Sequence, residues 1–408
     1  DGENSGSVTV GVSAAVAFEN FQVLIGGGGN DTFDFSKGGS VVGNNPIKGS
    51  VSGVGGSNTL KGRVVNTDWT INGNGSGYLS TTGDGAATYV EQFSNIQILQ
   101  GQTTTDSFTL TSSGSFSGII NGNGGSDELS VATVGEERNA WRLLHSVNSD
   151  RVQRLNSLGA ASSSIDFSGI ANLTGGTGAD NFIFWGEGPY GGTINANGGD
   201  TVIDSVDLSN LTGSLNVSLS ASSIYGVQNV ERVVGNGENS TLEGLSSGTN
   251  NWRIASTDGG GNAIVGADGQ NDGVLSNSTT SVQFVDFANL TGGASATDNF
   301  TLNTDGSITG NITGGTAENG AVIDTIITES NNRVWALRAA GEGGVSGNNF
   351  TGIERFVGNG EGDTLVGISQ NNRWTVTGGN EGSVSEAGGA NALAFVGMEN
   401  LSGNVGSD

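Results

Sequence analysis

One phrase recurs along the chain, each time slightly altered. It reads LIGGGGNDTFDF around Asp31, LQGQTTTDSFTL around Asp106, LTGGTGADNFIF around Asp180 and LTGGASATDNFTL around Asp298, with weaker copies around Ser240, Asp363 and Asp408. A repeat of this size, carried through 408 residues, means stacked units rather than one globular core. That constraint comes before the reading of any single residue.

The spacing decides the kind of stack. A second Gly-rich turn follows the anchor after twenty to twenty-seven residues: Asp127 after Asp106, Asp204 after Asp180, Asp324 after Asp298 and Asn58 after Asp31. Short β-rich runs closed by a tight Gly/Asn corner every twenty-odd residues are what one coil of a parallel β-solenoid requires. The expected fold is all-β: a right-handed parallel β-helix of roughly 20–25 residues per coil, an elongated rod of about sixteen to twenty coils and roughly 75 to 95 Å at about 4.8 Å per strand. The chain is read as one continuous region, 1–408, with approximate units 1–62, 63–131, 132–245, 246–329, 330–368 and 369–408.

Trp69, Trp141, Trp252, Trp335 and Trp374 mark another fixed place in the unit, each opening a run such as WTI, WRL or WRI. A stretch such as VEQFSNIQIL, FTGIERFV or FVGMENL lies before the next anchor. Alternation at period two turns the apolar members inward and leaves Gln, Asn, Glu and Ser outside. Phe33, Ile98, Phe108, Leu129, Phe182, Phe300 and Leu365 are the expected inward ladder. Glycine, 74 residues, interrupts nearly every window long enough for a helix, and at corners it supplies positive φ without a steric penalty.

Composition excludes several function classes. Cysteine is absent, so there are no disulfides, thiol catalysts or thiolate metal sites. A net charge of -26 opposes binding to nucleic acid or anionic membranes, and no apolar run is long enough to span a bilayer. The chain opens on DGENSGS, without a signal-peptide pattern, and stops at LSGNVGSD partway through a repeat, so it reads as a segment of a longer protein.

Catalytic signals are sparse. His145 is the one histidine, and the densest charge cluster, Glu136, Glu137, Arg138, Arg142, Asp150, Arg151 and Arg154, reads as charge pairing on a loop and as the place to look for a carbohydrate-contacting surface. No Gly-rich phrase ends in GK[ST], and DGQNDG at Asp268 to Gly273 has Thr279 where an EF-hand loop needs its Glu. A catalytic role is therefore not expected. A β-helical polysaccharide-degrading enzyme is the remoter alternative.

Two resemblances attach to these residues. Gly26 to Asp34, Gly175 to Ile183 and, with one Gly replaced, Gly122 to Ser130 resemble the RTX nonapeptide G-G-x-G-x-D-x-U-x. That resemblance implies a calcium-stiffened extracellular module with Asp31, Asp106, Asp127 and Asp180 as the carboxylate ligands, although the copies here stand alone rather than in tandem. Over nearly the whole chain, the Trp-led strand, the N-L-x-G-G corner and D-x-F-x-L resemble the repeats of large secreted bacterial β-solenoid adhesins of the filamentous-haemagglutinin type. What this implies is a non-catalytic structural or adhesive rod at the bacterial surface or in the extracellular matrix. It would need no cofactor and would associate end to end or with neighbouring repeats, with host or matrix carbohydrate as a further partner.

Overall fold

The computed structural model describes residues 6–8, 16–18, 22–36, 47–82, 88–133, 135–144, 150–186, 188–198, 202–220, 223–315, 322–369, 371–389 and 392–404. Among these residues there is no helix; the structure is all-β, and most strand pairs are parallel. The chain forms two compact units, residues 1–204 with 226–229, and residues 205–225 with 230–408.

In the first unit the parallel ladders run through strands far apart in sequence. Thr32–Asp34 pairs with Thr59–Lys61, then Ile98–Gln100, Ser117–Asn121 and Ala161–Ser168. Thr67–Gly73 pairs with Asp106–Leu110, then Glu128–Val131, Asn172–Thr174 and Thr193–Asn195. In the second unit Ser247–Ile254 pairs with Ser295–Leu302, then Thr325–Thr328, Arg355–Val357 and Leu393–Val396. Register holds because the inward residues stack on one another. Trp69, Phe108, Leu129, Leu173 and Ile194 are cross-strand partners in one row, all buried. A slip of one residue would turn the whole row out to solvent.

The expected inward ladder is found with two differences. Phe108, Leu129, Phe182, Phe300 and Leu365 are fully buried, while Phe33 is half-buried. Ile98 is the correction: Leu99 faces the core in one row with its buried cross-strand partners Leu60 and Ile120, and Ile98 pairs with the exposed Ile119 in an outer row. The run ILQ carries two adjacent aliphatics, so alternation alone leaves its phase open.

The alternating runs hold a second departure from an all-parallel expectation. Each Trp strand folds back on itself through an antiparallel three-stranded meander. Those described are Thr67–Gly73 with Ser76–Thr81 and Thr88–Ser94, Arg138–Leu143 with Asp150–Leu155 and Ala161–Ser168, Ser247–Ile254 with Gly273–Ser276 and Ser281–Thr291, Val334–Ala339 with Glu342–Val345 and Asn348–Thr351, and Asn372–Gly378 with Glu381–Glu386 and Leu393–Val396. The first hairpin turns at Asn74-Gly75, Gly75 having φ 59°, a dipeptide suited to the tight turns that match strand twist. The middle strand is thin where the third carries an aromatic. Gly77 lies opposite Phe93, Gly273 opposite Phe284, Gly343 opposite Phe350 and Gly382 opposite Phe395, and a Cβ on any of these glycines would meet the facing ring at 2.8–2.9 Å. The Phe ring covers the cross-strand glycine, an arrangement that pins hairpin register.

Candidate functional site at the aspartate corners

The repeated aspartates sit where one parallel strand hands over to the next, and most of them are fully buried. Asp106, Asp127, Asp180, Asp204, Asp298 and Asp363 are each 0 % exposed, whereas Asp31 is half-buried. Room for the carboxylate comes from the glycine that opens the corner: a Cβ on Gly101 would lie 2.5 Å from Asp106 Oδ2, and one on Gly175 would lie 2.6 Å from Asp180 Oδ2. The leading glycine of the repeated phrase is thus the space that its own aspartate occupies.

Each carboxylate oxygen has a separate task. Oδ2 closes its own corner by accepting from a backbone N–H four or five residues earlier: Gly27 for Asp31, Gln102 for Asp106, Gly176 for Asp180, Gly293 for Asp298 and Asn359 for Asp363, at 2.8–3.0 Å. Oδ1 reaches the neighbouring strand. Asp106 N donates to Asp127 Oδ1 across 21 residues, Asp180 N to Asp204 Oδ1 across 24 and Asp298 N to Asp324 Oδ1 across 26, at 2.7–2.8 Å. Asp31 N donates likewise to Asn58 Oδ1 across 27. Where the next corner lacks an aspartate, a longer side chain substitutes: Asn58 N donates to Gln97 Oε1, Asp324 N to Glu354 Oε2 and Asp363 N to Glu399 Oε2.

The same oxygen also meets the tryptophan. Trp141 Nε1 and Asn139 Nδ2 both donate to Asp180 Oδ1 at 2.8 Å, and Trp252 Nε1 and Asn250 Nδ2 to Asp298 Oδ1 at 2.7 and 2.9 Å. Two residues past each of these aspartates a phenylalanine stacks on the same indole, Phe182 on Trp141 at 5.5 Å and Phe300 on Trp252 at 5.3 Å. The Trp69–Phe108 pair stacks at 5.1 Å, and there Asp106 Oδ1 accepts from Thr67 N while the Trp69 side chain favours its ionised form. At Asp180 and Asp298 D-x-F is thereby explained as a receptor for a buried indole: the carboxylate accepts the N–H that burial strips of water, and the ring covers its face.

Burial shifts the protonation of this ladder. Desolvation raises Asp106, Asp127 and Asp180 to about 6 and Asp324 to about 7, against the donors that favour the ionised form. Asp298 is raised for the same reason. Loss of water disfavours the charge more than two or three hydrogen bonds favour it.

The four carboxylates expected to hold calcium therefore stand at corners of one kind, one per corner. The oxygens described for Asp31, Asp106 and Asp180 face N–H donors, the polarity that suits a carboxylate rather than a cation. Asp127 differs, since its Oδ2 is buried against Gly122 without a partner among the described residues. Among the described residues no three acidic or histidine side chains converge to hold an ion.

Other singled-out residues resolve differently. His145 lies outside the described residues. The charge cluster falls largely on paired strands instead of a loop: Arg154 is buried with its guanidinium donating to the carbonyls of Thr111, Gly114 and Ala132, Arg151 pairs with Asp166, and Arg142 lies 4.6 Å above the half-exposed Trp185 ring. DGQNDG is one more aspartate corner, because Asp268 N and Gly269 N donate to Asp272 Oδ2 and Asp286 N to Asp272 Oδ1. Sequence reasoning missed Asn139, Asn250, Gln97, Glu354 and Glu399 as parts of the corners. A signal for the last three exists in FSNIQ, FTGIE and FVGME, where the middle residue, Asn95, Gly352 or Gly397, takes positive φ and aims the following Gln or Glu at the next corner.

No protein-family model matches this sequence, and no curated protein matches it.

Proposed function

We propose that this chain is a non-catalytic structural stalk of a bacterial surface or extracellular-matrix protein, folded as a right-handed parallel β-helix whose bare coils are interrupted by antiparallel hairpins. The single observation that supports this reading is what the corner carboxylates do. In a catalytic or binding groove acidic groups converge on shared space, whereas here they are set out one per corner and point into the backbone of the adjoining strand. Their chemistry serves the repetition itself. Two further features agree: the bare parallel step of 21–27 residues, and the longer step of 30–48 residues across the Trp meanders. In such a stalk the acidic surface keeps neighbouring rods apart at low salt, and adhesion belongs to the surface it presents and to adjoining segments.

Small-angle X-ray scattering of the 408-residue chain tests the reading. A β-helix of about sixteen coils gives a pair-distance distribution with an extended tail beyond roughly 75 Å and a cross-section about two sheets wide. A symmetric distribution, as given by a compact globule, would refute the stalk.

A further inference from the structure

Four tryptophans of the repeat lie against a neighbour of one kind. The strands Thr67–Gly73, Arg138–Leu143, Ser247–Ile254 and Val334–Ala339 each pair in parallel with an aspartate strand, which sets Phe108, Phe182, Phe300 or Leu365 opposite the indole. Asn372–Gly378 is the exception. It pairs among the described residues with Glu381–Glu386 alone, Trp374 is half-buried, and Val376 is 65 % exposed where Ile71, Leu143, Ile254 and Leu337 are buried. The rest of the arrangement is in place. Asn372 Nδ2 donates to Ile368 O as Asn139 does to Val131 O and Asn250 to Leu245 O, and Phe395 meets the Trp374 ring edge-on as Phe167 meets Trp141 and Phe284 meets Trp252. At Thr32–Asp34 the lack is reversed. This D-x-F strand pairs among the described residues with Thr59–Lys61 alone, and Phe33 is half-buried, whereas Asp106–Leu110 and Ser295–Leu302 are paired along both edges.

We propose that these two edges join between copies of the chain: Thr32–Asp34 of one copy pairs in parallel with Asn372–Gly378 of the next. The register is that of the internal copies, with Asp31 opposite Asn372, Phe33 opposite Trp374 and Phe35 opposite Val376. Asp31 Oδ2 closes its own corner on Gly27 N, and Oδ1 takes Trp374 Nε1 and Asn372 Nδ2, the division found at Asp180 and Asp298. The backbone agrees. Thr59 N donates to Asp31 O and Phe35 N to Lys61 O, so the Thr32 groups between them point to the open edge, because successive residues of a parallel ladder bond to opposite sides. On the other strand Val376 holds the place of Ile71, Leu143 and Ile254, whose carbonyls accept from the residue just past the aspartate strand. The two edges differ, so the contact is head-to-tail and repeats from copy to copy instead of closing on a pair. Burial of Phe33, Trp374 and Val376 drives it, and the net charge of -26 opposes it. The contact depends on two strand edges and not on overall shape, so a rod that stayed monomeric would refute it and leave the stalk reading standing.

Sedimentation velocity of the whole chain tests the contact, at about 0.15 M salt, where the Debye length is about 8 Å. The expected result is a sedimentation coefficient that climbs between about 1 and 100 µM, with association weakened at least about tenfold by either of two substitutions. Val376→Lys puts a charge on the receiving edge at a side chain that is already exposed, and Thr32→Pro removes the N–H that the docking strand offers. Mixed in equal amounts, the two variants should form a dimer and nothing larger, since each keeps the edge that the other has lost. Equal melting temperatures establish that the fold is kept; should Thr32→Pro fail to fold, Thr32→Lys, which sets a like charge opposite Arg373, takes its place. A wild-type chain that is monomeric at every concentration overturns the proposal and leaves the two edges to segments of their own chain. Growth that survives either substitution overturns it too, by placing association elsewhere, and so does a mixture of the two variants that stays monomeric.

Discussion

Removal of the Asp180 carboxylate is the most direct trial of the corner ladder. In Asp180→Ala, Trp141 Nε1 and Gly176 N lose their acceptor inside the protein, while Asn139 Nδ2 keeps Val131 O. A buried donor left without a partner costs about 1–3 kcal/mol, so two of them predict a loss of about 2–6 kcal/mol before any cavity is counted. Asp180→Asn retains Oδ1 for both side-chain donors and opposes only Gly176 N with a second N–H, which predicts about 1–2 kcal/mol. Trp141→Phe removes one donor but keeps a ring against Phe182, and its loss should overlap with that of Asp180→Ala. The pair should therefore couple by about 1–3 kcal/mol in a double-mutant cycle, measured by urea unfolding followed by circular dichroism. A loss below about 1 kcal/mol for Asp180→Ala, or additivity of the two substitutions, would refute the claim that this carboxylate holds the indole.

Stability should fall as pH rises. The folded-state values of Asp106, Asp127 and Asp180, about 6, and of Asp324, about 7, lie above the ordinary 3.8, so the folded chain binds protons more tightly than the unfolded one. The stabilisation is complete below about pH 4 and is lost as pH passes through 6 to 7; with each pKa unit equal to about 1.4 kcal/mol, melting at pH 5 should exceed that at pH 8 by at least roughly 5 °C. A profile rising from pH 5 to 8 would contradict it. Because N–H donors already face the described oxygens of Asp31, Asp106 and Asp180, chelation should leave the melting temperature unchanged; a substantial fall in EDTA, restored by calcium, would identify Asp31, Asp106, Asp127 and Asp180 as ligands. Gly77→Ala should destabilise by about 1–3 kcal/mol, since its methyl would press on Thr70 O and stand 2.9 Å from the Phe93 ring. An unchanged denaturation midpoint would show that the hairpin tolerates a wider middle strand.

Periodicity was legible in the sequence because it is a property of order along the chain. The return of Gly, Asn and Asp after 21–27 residues appears unchanged as the parallel register of the structure, and alternation placed Phe108, Leu129, Phe182, Phe300 and Leu365 in the core. Local ambiguity explains the misses. Two neighbouring aliphatics let Ile98 stand for Leu99, and Asn74-Gly75, a hairpin turn by its own chemistry, blended into a chain where Asn and Gly also make the corners between parallel strands.

What no reading of one phrase could decide is which atom each aspartate serves. Asp180 meets Trp141 across 39 residues and Asp298 meets Trp252 across 46, so the partner depends on how long a meander lies between them, and that length varies from unit to unit. Sequence determined by itself the backbone's repeating conformation, because corner geometry and inward alternation are set by neighbours along the chain. Tertiary structure decided the chemistry of the buried polar groups, because a carboxylate removed from water takes whichever donor the stacked strand brings to it.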